Sequence, residues 1–164
     1  MAKGNRYFHV SFRHDEISSG IVRNCTIVSN WTETIGASLG GGGGISVRQN
    51  ASVVNTVLWG NSDASISDPD SCVHNVGGDA SRLSNCCAPV AAGSSCVTAD
   101  PRFRDFAGGD YRLSGTSPCR KKGVYQSWMA TATDFFGNPR VYSRKHCDIG
   151  FHQTNSDSMI FFVQ

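Results

Sequence analysis

The chain has 164 residues, 39% hydrophobic and 17% charged, enough for one domain with a sizeable core. Its 15 basic and 13 acidic side chains leave a net charge of +2 with no run of five like charges, which excludes the electrostatic footprint of a nucleic-acid-binding surface. The longest apolar run, Met159-Ile160-Phe161-Phe162-Val163, falls far short of the roughly 20 residues that a membrane-spanning helix requires.

The N-terminal residues Met1 to Val10 carry basic side chains but no apolar run of export-signal length, so no signal peptide is visible. Tyr7-Phe8-His9-Val10-Ser11-Phe12 alternates weakly and predicts an entering strand, while His9, His14, Asp15 and Glu16 read as a surface turn rather than a metal site. The segment Asn24-Cys25-Thr26-Ile27-Val28-Ser29-Asn30 then returns as Asn55-Thr56-Val57-Leu58-Trp59-Gly60-Asn61, an offset of 55 − 24 = 31 residues. Each copy follows a glycine-led run, Gly20-Ile21-Val22 in one case and Gly41 to Val47 in the other. β-branched stretches punctuated by Gly and Asn predict strands, and a fixed offset between them predicts a solenoid in which equivalent residues stack. The fold class expected is all-β, a right-handed parallel β-helix of about three coils with an irregular C-terminal cap. Asn24, Asn30, Asn50, Asn55 and Asn61 fit the corners, since Asn tolerates left-handed backbone and its amide bonds neighbouring main chain or ladders on another amide. The run Gly40 to Gly44 lacks a following Lys-Ser or Lys-Thr and precedes a strand, so it reads as a corner and not a phosphate cradle.

Residues 67–98 read as an irregular stretch of loops with one or two short strands, from Asp68-Pro69-Asp70 through Gly77-Gly78-Asp79 to Ala91-Ala92-Gly93. Five of the seven cysteines lie within one span after the repeats, at Cys72, Cys86, Cys87, Cys96 and Cys119. That density favours an oxidising compartment, with disulfides or buried thiols as the default and their pairing open. Adjacent Cys86 and Cys87 must point to opposite faces of any strand they share. No Cys-x-x-Cys pair is present, which argues against zinc, and no cofactor is implied.

From Ala99 onward aromatic residues alternate with turn signals. This predicts a cap over residues 99–153, preceded by coils and cysteine-bearing loops over 1–98 and followed by a tail, 154–164, without an assigned role. Asp100-Pro101 fixes a turn entry, after which Phe103, Tyr111 and Leu113 fold back over the coils. Asp134, Arg140 and Asp148 are expected to form a salt-bridged brace. A catalytic carboxylate pair, Asp134 with Asp148, is the alternative, but both sit in turn-forming motifs.

Several of these segments occur together in a known order: Asp100-Pro101-Arg102-Phe103, Gly109-Asp110-Tyr111-Arg112-Leu113, Ser117-Pro118-Cys119, Thr133-Asp134 with Gly137-Asn138-Pro139-Arg140, and Asp148-Ile149-Gly150. Over roughly residues 18 to 153 the chain resembles the C-terminal part of bacterial right-handed parallel β-helix surface proteins of the polymorphic outer-membrane-like or choice-of-anchor type. It departs from their pattern at Arg120-Lys121-Lys122-Gly123 and at Phe151-His152-Gln153, where the usual terminal acidic residue is missing. The resemblance implies a tail of a longer protein, secreted or displayed at the cell surface, non-enzymatic, and serving adhesion or display. Trp128 and Trp59 are the candidate platforms for a glycan or surface polysaccharide, with burial as the competing use of each. An open N-terminal coil predicts self-association through unpaired strand edges. Two rival readings stand beside this one: a fragment of a polysaccharide lyase or glycoside hydrolase whose active coils lie elsewhere, and a structural spacer. The grouped aspartates and basic residues of β-helix lyases and hydrolases are not seen on the coils.

Overall fold

The computed structural model describes residues 17–32, 43–63, 75–89, 93–141 and 145–154. The expected strand at Tyr7 to Phe12, the residues His9, His14, Asp15 and Glu16, the turn Asp68-Pro69-Asp70, Cys72 and the stretch after Thr154 lie outside the described residues.

The molecule is all-β with parallel sheets. The strands are β1 (Ile17–Arg23), β2 (Thr26–Val28), β3 (Trp31–Thr32), β4 (Ile45–Val54), β5 (Val57–Trp59), β6 (Ser62–Asp63), β7 (Val76–Gly78), β8 (Leu83–Ser84), β9 (Phe103–Asp105) and β10 (Asp110–Leu113). β4 lies between β1 on one side and β7 and β8 on the other, β2 pairs with β5, β3 with β6, and every one of these pairs is parallel. β9 and β10 form an antiparallel hairpin. Short 3₁₀ turns occupy Ala80–Arg82 and Ser127–Ala130.

The offset of 31 read from the sequence is the register of the first pairs: Arg23 lies opposite Val54, Ile27 opposite Leu58, and Trp31 opposite Ser62. A third tier follows at nearly the same spacing, with Ile45 opposite Val76, Val53 opposite Leu83, and Val57 bridged to Cys87. A fourth begins after only ten residues, where Ser84 bridges Ser94 and Cys87 bridges Val97. The stretch 67–98, read from sequence as loops with short strands, therefore carries strands in register with β4.

One corner recurs in all four tiers. Asn24, Asn55, Asn85 and Ser95 have φ of 53°, 51°, 50° and 56°, the left-handed region in which Asn is tolerated best among side-chain-bearing residues. Their main chains are tied tier to tier, Asn24 N–H to Val54 O, Asn55 N–H to Ser84 O and Asn85 N–H to Ser94 O, at 3.0–3.1 Å. The next residue in each tier, Cys25, Thr56, Cys86 or Cys96, turns its side chain back onto the carbonyl two residues earlier. Four different stretches of chain thus adopt one local geometry. A second amide column stands at Asn30, Asn61 and Asn75, where Asn61 Oδ1 accepts from Asn30 N–H at 3.0 Å and Asn61 Nδ2 donates to Asn75 Oδ1 at 2.9 Å.

Alternation then sorts side chains into two cores. Ile27, Leu58, Ala88 and Cys86 point inward and pack with Ile45, Val47, Ala51, Val53, Val76 and Leu83. Val57 and Cys87, one residue out of phase, point outward into a second cluster with Leu113, Cys119 and Ile149. Cys86 and Cys87 do separate to opposite faces. Burial of a side chain such as Leu58 is worth about 2 kcal/mol, so the two clusters supply most of the cohesion. Close stacking also fixes glycine at Gly78, which holds φ +76° where an added Cβ would collide with the Val47 carbonyl.

Candidate functional site

Residues 119–141 and 145–154 hydrogen-bond to the stack along one side. They run beside it as a strap along the Asn corner, touching three tiers in turn. At the third tier Asn85 Nδ2 donates to Lys122 O at 2.9 Å. At the second, the Asn55 amide clamps one residue, accepting from Val124 N–H at 2.8 Å and donating to Val124 O at 2.9 Å, while Gly150 N–H donates to Asn55 O at 2.8 Å. At the first, Phe151 N–H donates to Thr26 Oγ1 at 3.2 Å, and Arg140 Nη2 reaches Asn24 O at 3.4 Å. The amide atoms of Asn24 itself are buried with no hydrogen-bond partner.

The strap is held together by ionised groups on main-chain partners. Asp134 Oδ1 accepts from the N–H groups of Phe136 and Asn138 at 2.8 and 2.9 Å, and Oδ2 accepts from Asn138 Nδ2 at 3.0 Å and Gln153 N–H at 2.8 Å. Asp148 Oδ1 accepts from Lys121 N–H at 2.8 Å, and Oδ2 accepts from Thr154 N–H at 2.7 Å and its hydroxyl at 2.5 Å. Arg140 Nη1 donates to Gly150 O at 2.8 Å. The brace expected at Asp134, Arg140 and Asp148 is thus a set of charge-assisted bonds to backbone, with attraction between the charges adding to it at longer range. Pro139, exposed, closes the Asp134 turn through a bridge to Thr133. Burial pushes the Asp134 carboxyl up, but the donors of Asn138, Gln153 and Phe136 together outweigh it and hold the group below the usual carboxylate range. Burial also draws Arg140 downward, against the opposing pull of Asp134.

Asp100 and Pro101 form the expected turn: Asp100 Oδ1 accepts from Arg102 N–H at 2.7 Å, Pro101 is buried, and Arg102 takes φ +53°. The hairpin that follows lays Leu113 and Phe103 into the outer cluster. Tyr111 meets Phe103 edge-on at 5.6 Å, and Phe106 stacks on Phe103 at 5.9 Å. Leu113 N–H donates to Nδ1 of the buried His152 at 3.2 Å, a bond that needs the neutral ring. Burial lowers the His152 pKa, Arg104 and Arg112 reinforce the shift, and Asp134 and Asp148 oppose it.

Trp59 is half-buried against the outer cluster. Trp128, also half-buried, has the Arg23 guanidinium 4.6 Å from its ring centroid and donates its indole N–H to Gln126 Oε1 at 2.6 Å. The more open aromatic surface lies elsewhere. Phe135 and Phe136 are 51% and 49% exposed, meet at 5.3 Å with perpendicular rings, and continue into Phe151. Arg112 stands 5.6 Å over Phe136 and is chelated by Asp110 through bonds of 2.7 and 2.5 Å. This patch, with Gln153 and His152, was absent from the sequence-derived candidates. The only signal for it was Phe135-Phe136 inside a turn motif, where paired exposed aromatics have no packing reason.

Among the described residues no group of three or more His, Cys, Asp or Glu side chains converges as a metal site, and no helix is long and apolar enough to cross a membrane. Comparison of the chain with protein-family models, curated proteins and solved structures found no significant match to any of them.

Proposed function

We propose that this chain is a non-enzymatic module of a secreted or cell-surface protein, a right-handed parallel β-helix buttressed along one corner by its C-terminal strap, which displays an aromatic surface for adhesion to a glycan. The observation that carries the reading is the use made of its carboxylates. Asp134 and Asp148, the buried aspartates among the described residues, spend their oxygens on donors of the strap itself. A carboxylate so occupied has most of its lone pairs committed to the strap and is poorly placed to take a proton from a substrate. Parallel pairing at offsets of 30 and 31 residues, with one corner conformation repeated through four tiers, supports the β-helix.

The contact surface fits best at Phe135, 51% exposed, with the half-exposed Phe136 and the Arg112–Asp110 pair beside it, an arrangement suited to stacking on a sugar ring while bonding its hydroxyls. Trp128 is the secondary platform, since Arg23 already covers part of its ring. Self-association through the strand edge of β1 belongs to the same proposal, because among the described residues β1 pairs with β4 alone.

A polysaccharide-binding and depolymerisation assay on the intact chain, with and without calcium, tests this. Binding without product release, lost in a Phe135→Ser/Phe136→Ser variant that still unfolds cooperatively, is the expected result. Product release would replace the reading with an enzymatic one, and silence in both arms would leave a structural spacer.

A further inference from the structure

We propose that the adjacent cysteines form two disulfides of opposite direction, Cys86 with Cys96 inside the stack and Cys87 with Cys119 between the stack and the strap. The inference is independent of what the module binds. Cys86 and Cys96 occupy one structural position in consecutive tiers. Each follows a left-handed corner residue, Asn85 or Ser95, and each directs its sulfur at the carbonyl two residues back, Ser84 or Ser94, at 3.4 and 3.7 Å. Their tiers are joined in parallel register by the Cys87 to Val97 bridge and by the bond from Val97 N–H to Cys86 O at 2.8 Å. Register neighbours on adjacent strands sit about 4.8 Å apart, inside the ~4.4–6.8 Å span between Cα atoms that a disulfide needs. Cys96 packs against the inner cluster that contains Cys86.

Alternation sends Cys87 the other way, into the outer cluster that also buries Cys119. Both are fully buried, and Cys119 is anchored by its N–H to Ser117 Oγ at 3.1 Å and its carbonyl to Ile149 N–H at 3.0 Å. The electrostatics agree with the geometry. The strongest influence on the Cys86 thiol is Cys96, and that on Cys87 is Cys119. Cys86 and Cys87 are raised, whereas Cys96, the more accessible member of its pair, is drawn down to about 6 by its interaction with Cys86.

Each bond forms by exchange with a small-molecule disulfide such as oxidised glutathione. In the first pair the Cys96 thiolate attacks one sulfur of that oxidant and expels a thiolate, giving a mixed disulfide. Cys86 then loses its proton and attacks the Cys96 sulfur, releasing the second small thiol. Two electrons pass from the protein pair to the oxidant, which leaves as two reduced thiols. Cys87 and Cys119 exchange by the same stoichiometry.

The test is peptide mapping of the full chain after equilibration in a mixed glutathione buffer and alkylation of remaining thiols, without reduction. Trypsin leaves Cys86, Cys87 and Cys96 in one peptide, residues 83–102, and Cys119 in another, residues 113–120. The expected product is 83–102 joined to 113–120 with no alkylated cysteine in either. Cys87→Ser should release 113–120 with Cys119 alkylated while 83–102 keeps its internal bond. Cys86→Ser should keep the cross-link and leave Cys96 alkylated or glutathionylated. Alkylation of all four cysteines in the parent, or a cross-link that survives Cys87→Ser and disappears in Cys86→Ser, overturns the proposal.

Discussion

The stack and the strap are built from different bonds. Tiers of the stack are joined by main-chain ladders and packed by Ile27, Leu58, Val47 and Val53, so most side chains there contribute area and not specific contacts. Among the described residues of the strap, 119–141 and 145–154, regular pairing shrinks to isolated bridges such as Gly123 to Cys147, and single polar side chains hold several backbone groups each. A ladder survives the loss of any one side chain as a somewhat less stable ladder. A strap loses its path when one carboxylate is removed, because buried donors it satisfied, such as the N–H groups of Gln153 and Thr154, lose their acceptor.

That contrast is open to measurement by urea unfolding followed through tryptophan fluorescence. The largest loss is expected for Asp148→Ala, about 3–4 kcal/mol, since the N–H groups of Lys121 and Thr154 both lose a charged acceptor. Leu58→Ala, in the inner core, should cost about 3 kcal/mol through transfer and cavity terms while leaving every tier bond in place. A larger loss for Leu58→Ala than for Asp148→Ala would reverse the comparison.

The Asn corner gives a sharper version within one column. Asn55→Gly keeps the left-handed backbone but deletes both bonds to Val124 and should cost about 2 kcal/mol. Asn24→Gly, where the amide has no partner, should change stability by less than about 0.5 kcal/mol. Equal effects at the two positions would mean that the strap does not use the corner.

Acid should weaken the strap in two steps. His152 titrates lower in the folded chain than its ordinary ~6.5, so below that pH the unfolded chain gains a proton that the folded one resists, and stability falls. A His152→Asn variant, which keeps an acceptor for Leu113 N–H, should flatten the decline between pH 7 and 5. The folded Asp134 carboxyl is also depressed, so its contribution is complete above the unfolded value of about 3.9 and disappears as pH falls through the folded one. A small effect, about 0.5 kcal/mol, is expected for Arg23→Ala, with a red-shifted Trp128 emission as the ring opens to water.

Much of the stack was legible before the structure. Asn24 to Asn30 and Asn55 to Asn61 share their bounding asparagines and the apolar stretch between them because stacking asks the same corner and the same alternation of each tier. The third tier was readable too, in Ser84-Asn85-Cys86 against Arg23-Asn24-Cys25. Its strand β8 is two residues long and lacks a β-branched run, so it carries little strand signal of its own. The strap was legible as a list of turn motifs, without its position. Asp134, Asn138, Arg140 and Asp148 stand out in the sequence as turn and brace residues, but the donors that Arg140 offers go to Gly150 and Asn24 carbonyls, partners 10 and 116 residues away.

The sequence by itself determined that this chain builds stacked parallel strands, since period, corner residues and alternation are local properties repeated at a fixed spacing. Only the tertiary structure decided where the C-terminal segment goes. Its course along the Asn corner depends on backbone groups such as Asn24 O, Asn55 O and Val124 N–H, which every residue type carries and which no pattern of side chains announces.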